Sequence, residues 1–201
     1  MKHLIVLTPR AAAVQLLTFL QHLNGVLRCH AVDSLSSLRS LSRQCGDAAR
    51  LISFGTDILV PGDVLKRIRY GSYNFHPGPP CYPGWAPASF AIMDDALTFG
   101  ATAHLMVEKI DAGPIIGTEL FPVPPEITAD LLAAEATRAT GRLLPASGRF
   151  WPGKRSLCRA CRSAEARIAA AAPSSPICAR RPTDSAKRNC SAIAAPFCGP
   201  A

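Results

Sequence analysis

No apolar run in the 201-residue sequence approaches the ~20 residues that a membrane-spanning helix needs. The opening Met1-Lys2-His3-Leu4-Ile5-Val6-Leu7-Thr8-Pro9-Arg10 has too short an apolar stretch for a secretory signal. A cytoplasmic protein that opens on a buried strand is expected. Neither Gly-x-Gly-x-x-Gly nor a Walker phosphate loop occurs, so dinucleotide and nucleotide-phosphate sites have no motif behind them. Aromatic residues make up only 6% and charged residues 18%, yet 48% of the chain is apolar. That is enough for a packed core, and it excludes collagen-like, coiled-coil and wholly disordered classes.

Cysteine and net charge are both scarce in one region and concentrated in another. Residues 1–145 carry 12 Lys+Arg against 12 Asp+Glu, and only Cys29, Cys45 and Cys81. Residues 146–201 carry 10 against 2, and five cysteines. The net charge of +8 therefore belongs to the tail. A basic protein ordinarily points to nucleic acid or an anionic surface. Here the body gives no such hint, and the tail lacks the interleaved aromatics of a nucleic-acid platform.

The tail is also poor in branched apolar residues. It has one leucine, Leu157, and no valine, while Ala, Arg, Ser, Pro, Cys and Gly fill 43 of its 56 positions. Such a composition buries too little to offset its ordering entropy. It is also what GC-rich DNA encodes out of frame. Residues 146–201 thus read as disordered or frameshifted. A metal site is a third reading, because Cys158-x-x-Cys161 has half a zinc knuckle's spacing. There is no second such pair and no tail histidine, so no metal is expected.

Residues 1–145 alternate strand and helix. Leu4–Thr8 reads as a buried strand, followed by a helix carrying Ala13, Leu16, Leu17, Leu20 and Leu23, with Gly25 as its stop. A strand at Val26–Val32 and a helix through Leu35, Leu38 and Leu41 come next. Further strands are expected at Arg50–Phe54, Ser72–Phe75, Phe99–Val107 and Ile115–Val123. Helices are expected at Gly62–Ile68, Pro87–Asp94 and Thr128–Leu144. This order predicts an α/β domain with a doubly wound, mostly parallel sheet and ligands near the carboxyl ends of its strands.

Three segments concentrate polar chemistry. In Asn74-Phe75-His76-Pro77-Gly78, strand alternation sends Asn74 and His76 to the same face. A carboxamide and an imidazole before a rigid proline loop can polarise a carbonyl, although one histidine near a turn is also ordinary structure. The second segment is Gly100-Ala101-Thr102-Ala103-His104. The third is Ile110-Asp111-Ala112-Gly113-Pro114-Ile115-Ile116, where Asp111 is either a partly desolvated base or an ordinary turn aspartate. The pair Asp94-Asp95 reads as a solvated helix end.

In that order, Asn74-x-His76, Tyr82-Pro83-Gly84, Gly100-x-Thr102-x-His104 and Asp111-x-Gly113-Pro114-Ile115-Ile116 resemble the 10-formyltetrahydrofolate-dependent formyltransferases. The resemblance covers roughly residues 50–125. It implies a Rossmann-like formyltransferase fold, 10-formyltetrahydrofolate as donor, and Asn74, His76 and Asp111 as the catalytic trio. It also implies that Thr56, Asp57, Ile58 and Leu59, together with Ile110, hold the pterin, and that His104 steadies the aspartate loop.

The sequence departs from the family at Gly78-Pro79-Pro80-Cys81 and at Pro83. It also has no glycine in Pro9-Arg10-Ala11-Ala12, where glycinamide ribonucleotide enzymes carry a phosphate loop. The acceptor implied is a primary amine, of methionyl-tRNA type or amino-sugar type. Nothing in 146–201 resembles a tRNA-binding barrel, so a nucleic-acid partner is not expected. Hydrolysis of the donor on the same scaffold, and an inactive product of a damaged gene, are the competing readings.

Overall fold

The computed structural model describes residues 1–23 and 25–146. The readings placed on residues 147–201, including Cys158-x-x-Cys161, lie outside the described residues.

The chain runs β1 (His3–Leu7), α1 (Arg10–Leu23), β2 (Arg28–Val32), α2 (Leu35–Cys45), β3 (Ala49–Phe54), α3 (Gly62–Arg67), β4 (Ser72–His76), α4 (Pro87–Met93), β5 (Thr98–Leu105), β6 (Ile115–Pro122) and α5 (Ala129–Ala146). A short 3-10 turn, Gly46–Ala48, joins α2 to β3. Every element expected from the sequence forms.

The six strands make one sheet in the order β2-β1-β3-β4-β5-β6. Strands β1 to β4 are parallel, while β5 and β6 join antiparallel. The interior strand β1 shows why its sequence is continuously apolar: Leu4, Ile5, Val6 and Leu7 are all fully buried, because both faces are covered. Edge strand β6 instead alternates Leu120 outward with partly buried neighbours.

Helices α1 and α5 cover one face. Leu16 and Leu20 of α1, and Ala139, Leu143 and Leu144 of α5, meet Leu4, Val6, Ile52, Phe75 and Ala103. On the opposite face, Leu38 of α2 and Val64 of α3 meet Ile5, Leu7 and Leu51. A third cluster packs Ala88 and Ala91 of α4 and Leu132 and Ala136 of α5 around Tyr82 and Phe99.

These faces position the site. Phe75, Ala101 and Ala103 point to the α1/α5 side, so Asn74, His76, Thr102 and His104 point to the other. On that side two loops, 77–86 and 106–114, lie over β4 and β5. The hydrogen bond from Thr102 Oγ1 to the Gly78 carbonyl (2.7 Å) pins the first loop, and Leu105 N–H to the Pro114 carbonyl (2.9 Å) anchors the end of the second.

Candidate active site

Cross-strand register begins the assembly. Asn74 of β4 lies directly opposite His104 of β5, and His76 opposite Thr102. The β5–β6 ladder shifts register between Ala103 and His104, so Ile116 is skipped where His104 pairs with Ile115. A bulge of this kind re-aims local side chains and is common beside active sites. Asn74 Nδ2 lies 3.3 Å from His104 Nε2.

Asp111 descends onto this pair from loop 106–114. Its backbone is left-handed, with φ at +48°, a conformation that aspartate tolerates better than most residues. Gly113 lets the loop approach closely, because a Cβ there would run into the Leu105 carbonyl oxygen. Asp111 Oδ1 accepts from Asn74 Nδ2 at 3.3 Å and lies 3.2 Å from His104 Nε2. Oδ2 accepts the Gly84 N–H at 2.8 Å and lies 3.9 Å from His76 Nδ1.

The histidine tautomers follow from their partners. The Leu105 carbonyl can only accept, so Nδ1 of His104 donates to it at 3.0 Å, leaving Nε2 toward Asp111 and Asn74. The Tyr82 carbonyl likewise fixes a proton on Nε2 of His76, at 3.0 Å. Nδ1 of His76 is then the nitrogen that faces the carboxylate, across a gap too wide for a direct hydrogen bond.

Asp111 is only 11% exposed. Burial alone would raise its pKa. The His104 hydrogen bond, the nearby His76, the Gly84 N–H and the charge interaction with His104 outweigh it, and hold the carboxyl at about 2. Asp111 is therefore a fixed anion at neutral pH.

The four side chains form the polar end of a cleft of about 890 Å³ outside the carboxyl ends of β3 and β4. All of the positions that the resemblance marks as catalytic, pterin-holding or loop-steadying line it: Asn74, His76, His104, Asp111, Thr56, Asp57, Ile58, Leu59 and Ile110. Behind the cluster, a second cavity of about 80 Å³ also touches His76, His104 and Asp111. Asp94, by contrast, follows α4 and accepts from the Tyr82 hydroxyl at 3.2 Å, outside the cleft. Among the described residues, no group of three or more His, Cys, Asp or Glu is placed to hold a metal ion.

Sequence reasoning missed four contributors. The Gly84 N–H and the Tyr82 carbonyl are backbone groups, and no side chain announces them. Trp85 and Met106 also line the cleft. The signal for Trp85 was a bulky aromatic between Gly84 and Pro87 in a segment too short to bury it.

Fold and site together define an α/β domain in which a carboxamide, two imidazoles and a carboxylate converge at the carboxyl end of a parallel strand. The sequence model of the formyl transferase family matches residues 47–147, and the chain belongs to that family. A methionyl-tRNA formyltransferase from Acidothermus cellulolyticus is 34% identical over 113 residues, covering 56% of this chain and 33% of the relative. The chain thus spans about a third of the length of that relative.

Two solved structures share the fold. Glycinamide ribonucleotide transformylase 1 from Symbiobacterium toebii is 18% identical with a TM-score of 0.60, over 74% of this chain and 86% of its own. An N-formyltransferase from Helicobacter canadensis, in complex with folinic acid and dTDP-3-aminofucose, is 20% identical with a TM-score of 0.56, over 73% of this chain and 62% of its own.

Proposed function

We propose that this chain transfers the formyl group of 10-formyltetrahydrofolate to a primary amine of methionyl-tRNA type or amino-sugar type. The observation that carries this reading is the convergence of Asn74, His76, His104 and Asp111 on the wall of the large cleft. The cleft suits a donor with a flat apolar body and one polar reacting end. Thr56, Asp57, Ile58, Leu59 and Ile110 would hold the pterin, and the reacting formyl would lie at the polar end.

The chemistry follows from the atoms. The amine nitrogen attacks the formyl carbon, and charge develops on the formyl oxygen. One N–H of Asn74 is held by Asp111; the other faces His104 Nε2 and, once that nitrogen carries a proton directed at Asp111, is released to meet the oxyanion. His76 Nδ1 takes the proton that the amine sheds. Nε2–H stays on the Tyr82 carbonyl, so the ring becomes an imidazolium held beside the Asp111 anion. Collapse of the intermediate breaks the bond from carbon to the folate nitrogen, which receives that proton. Asp111, with its carboxyl held low, stabilises positive charge more than it carries protons.

The test is product identification by mass spectrometry after mixing the full chain, 10-formyltetrahydrofolate and candidate amines. A formylated amine supports transfer. Formate alone supports hydrolysis on the same scaffold. Formate alone, or the absence of both products, overturns the transfer reading. His76→Ala is expected to lower turnover by about 10²–10⁴-fold, the range for losing a positioned acid–base group. Asp111→Ala is expected to abolish formyl transfer. Both variants should melt cooperatively.

A further inference from the structure

Trp85 is 82% exposed, although it is the largest apolar side chain in the site region. It belongs to none of the three core clusters. Folding therefore gains little from it. It lines the 890 Å³ cleft together with Leu59, Val107 and Ile110, three further exposed apolar side chains. Four of the eleven large apolar residues left exposed among the described residues thus gather on one cleft. Scattered exposed apolar residues are normal, but a contiguous set around a polar floor marks a ligand surface.

The backbone that carries the indole is unusual. Gly84 and Ala86, on either side of Trp85, are both left-handed, with φ at +83° and +52°. For alanine this conformation costs about 1–2 kcal/mol. Strain of this kind persists at ligand clamps, where it fixes a side chain in place. The segment is also tied to the reacting groups. Gly84 N–H, one residue before the indole, donates to Asp111 Oδ2, and the carbonyl of Tyr82 fixes His76. The platform and the polar cluster are thus one mechanical unit.

We infer that Trp85 is the specificity-determining platform of the cleft, its indole stacking on a flat aromatic ring of the folate donor. The inference rests on the donor reading above. Stacking an aromatic ring on a side chain contributes about 1–3 kcal/mol by alanine substitution, which is about 5- to 150-fold in affinity. Because the indole is solvent-exposed, replacing it leaves the core clusters intact.

Calorimetric titration of the full chain with folinic acid tests this, using the wild type, Trp85→Phe and Trp85→Ala. Thermal melts confirm that each variant is folded. Wild type should bind. Trp85→Phe, which keeps a stacking face, should bind within about threefold, and Trp85→Ala should weaken about 5- to 150-fold. A purely structural role would not be rescued by phenylalanine in this way. If wild type binds and Trp85→Ala binds as tightly, the platform inference is overturned while the donor reading stands. Equal folinic acid binding with a raised acceptor KM also overturns it, and assigns the indole to the amine substrate. If the wild type fails to bind folinic acid, the donor reading itself falls, and the inference with it.

Discussion

Asp111 gathers four polar partners in the candidate site, and this environment gives it a pH signature. Its carboxyl sits at about 2 in the fold against 3.8 ordinarily. The folded state therefore binds this proton less readily than the unfolded chain does. The resulting stabilisation is fully present above about pH 4 and is lost as pH falls through about 2. Its size is on the order of 2 kcal/mol. Urea unfolding measured between pH 5 and pH 2 should show this slope in the wild type, and Asp111→Asn should flatten it. An unchanged slope in the variant would show that other carboxylates carry the acid sensitivity. The residue itself was legible because a carboxylate between Ile110 and a turn is conspicuous. Asn74, His76 and His104 were legible as its partners only through the family resemblance, while its left-handed backbone and the Gly84 N–H were not, since Gly84 reaches it only through the tertiary fold.

At the scale of elements, strand and helix positions were legible because period-2 and helical-period patterns are local. Strand direction was not. Nothing in Phe99–Val107 or Ile115–Val123 states that β5 and β6 run antiparallel, since an alternating pattern reads the same in both directions. That direction brings His104 opposite Asn74, and the bulge at His104 follows from the same pairing. Loop 106–114 then has one shape that delivers Asp111, and Gly113 is what permits it. Gly113→Ala places a methyl group against the Leu105 carbonyl. The expected cost is about 1–3 kcal/mol of stability, typical of an overpacked site. Turnover should fall further, by about 100-fold, because a displacement near 1 Å at a reacting group costs that much. Parallel melts and rate measurements separate the two effects. A loss of rate no greater than the loss of stability would show that the loop does not position Asp111.

The β1–β2 edge carries a second pH-sensitive contact. His3 Nδ1 and His30 Nε2 lie 3.0 Å apart with stacked rings. Burial, then His3 and Arg28, lower the His30 pKa below its ordinary 6.5. Folded His30 resists protonation, so stability is intact above about pH 6.5 and declines below it. His30→Gln should make the thermal midpoint less sensitive to pH from 7 to 5. A steeper dependence in the variant would reverse the assignment.

Across the whole molecule, net charge divides the chain in two. The body that folds into the sheet is neutral, and the excess of +8 lies in residues 146–201. The cleft lies wholly within the described residues, lined from Ser53 to Asp111. Donor binding should therefore survive removal of the basic segment. A melt of the full chain and of a chain ending at residue 146 should show the same upward shift with folinic acid. At a ligand concentration 100 times the dissociation constant, binding adds about 2.7 kcal/mol. For a domain near 150 residues that is a rise of roughly 5–10 °C. A shift in both chains would make residues 1–146 a self-sufficient donor-binding domain. A cooperative melt and shift in the full chain alone would mean that the basic segment completes the fold, and the neutral body would no longer stand as the functional unit.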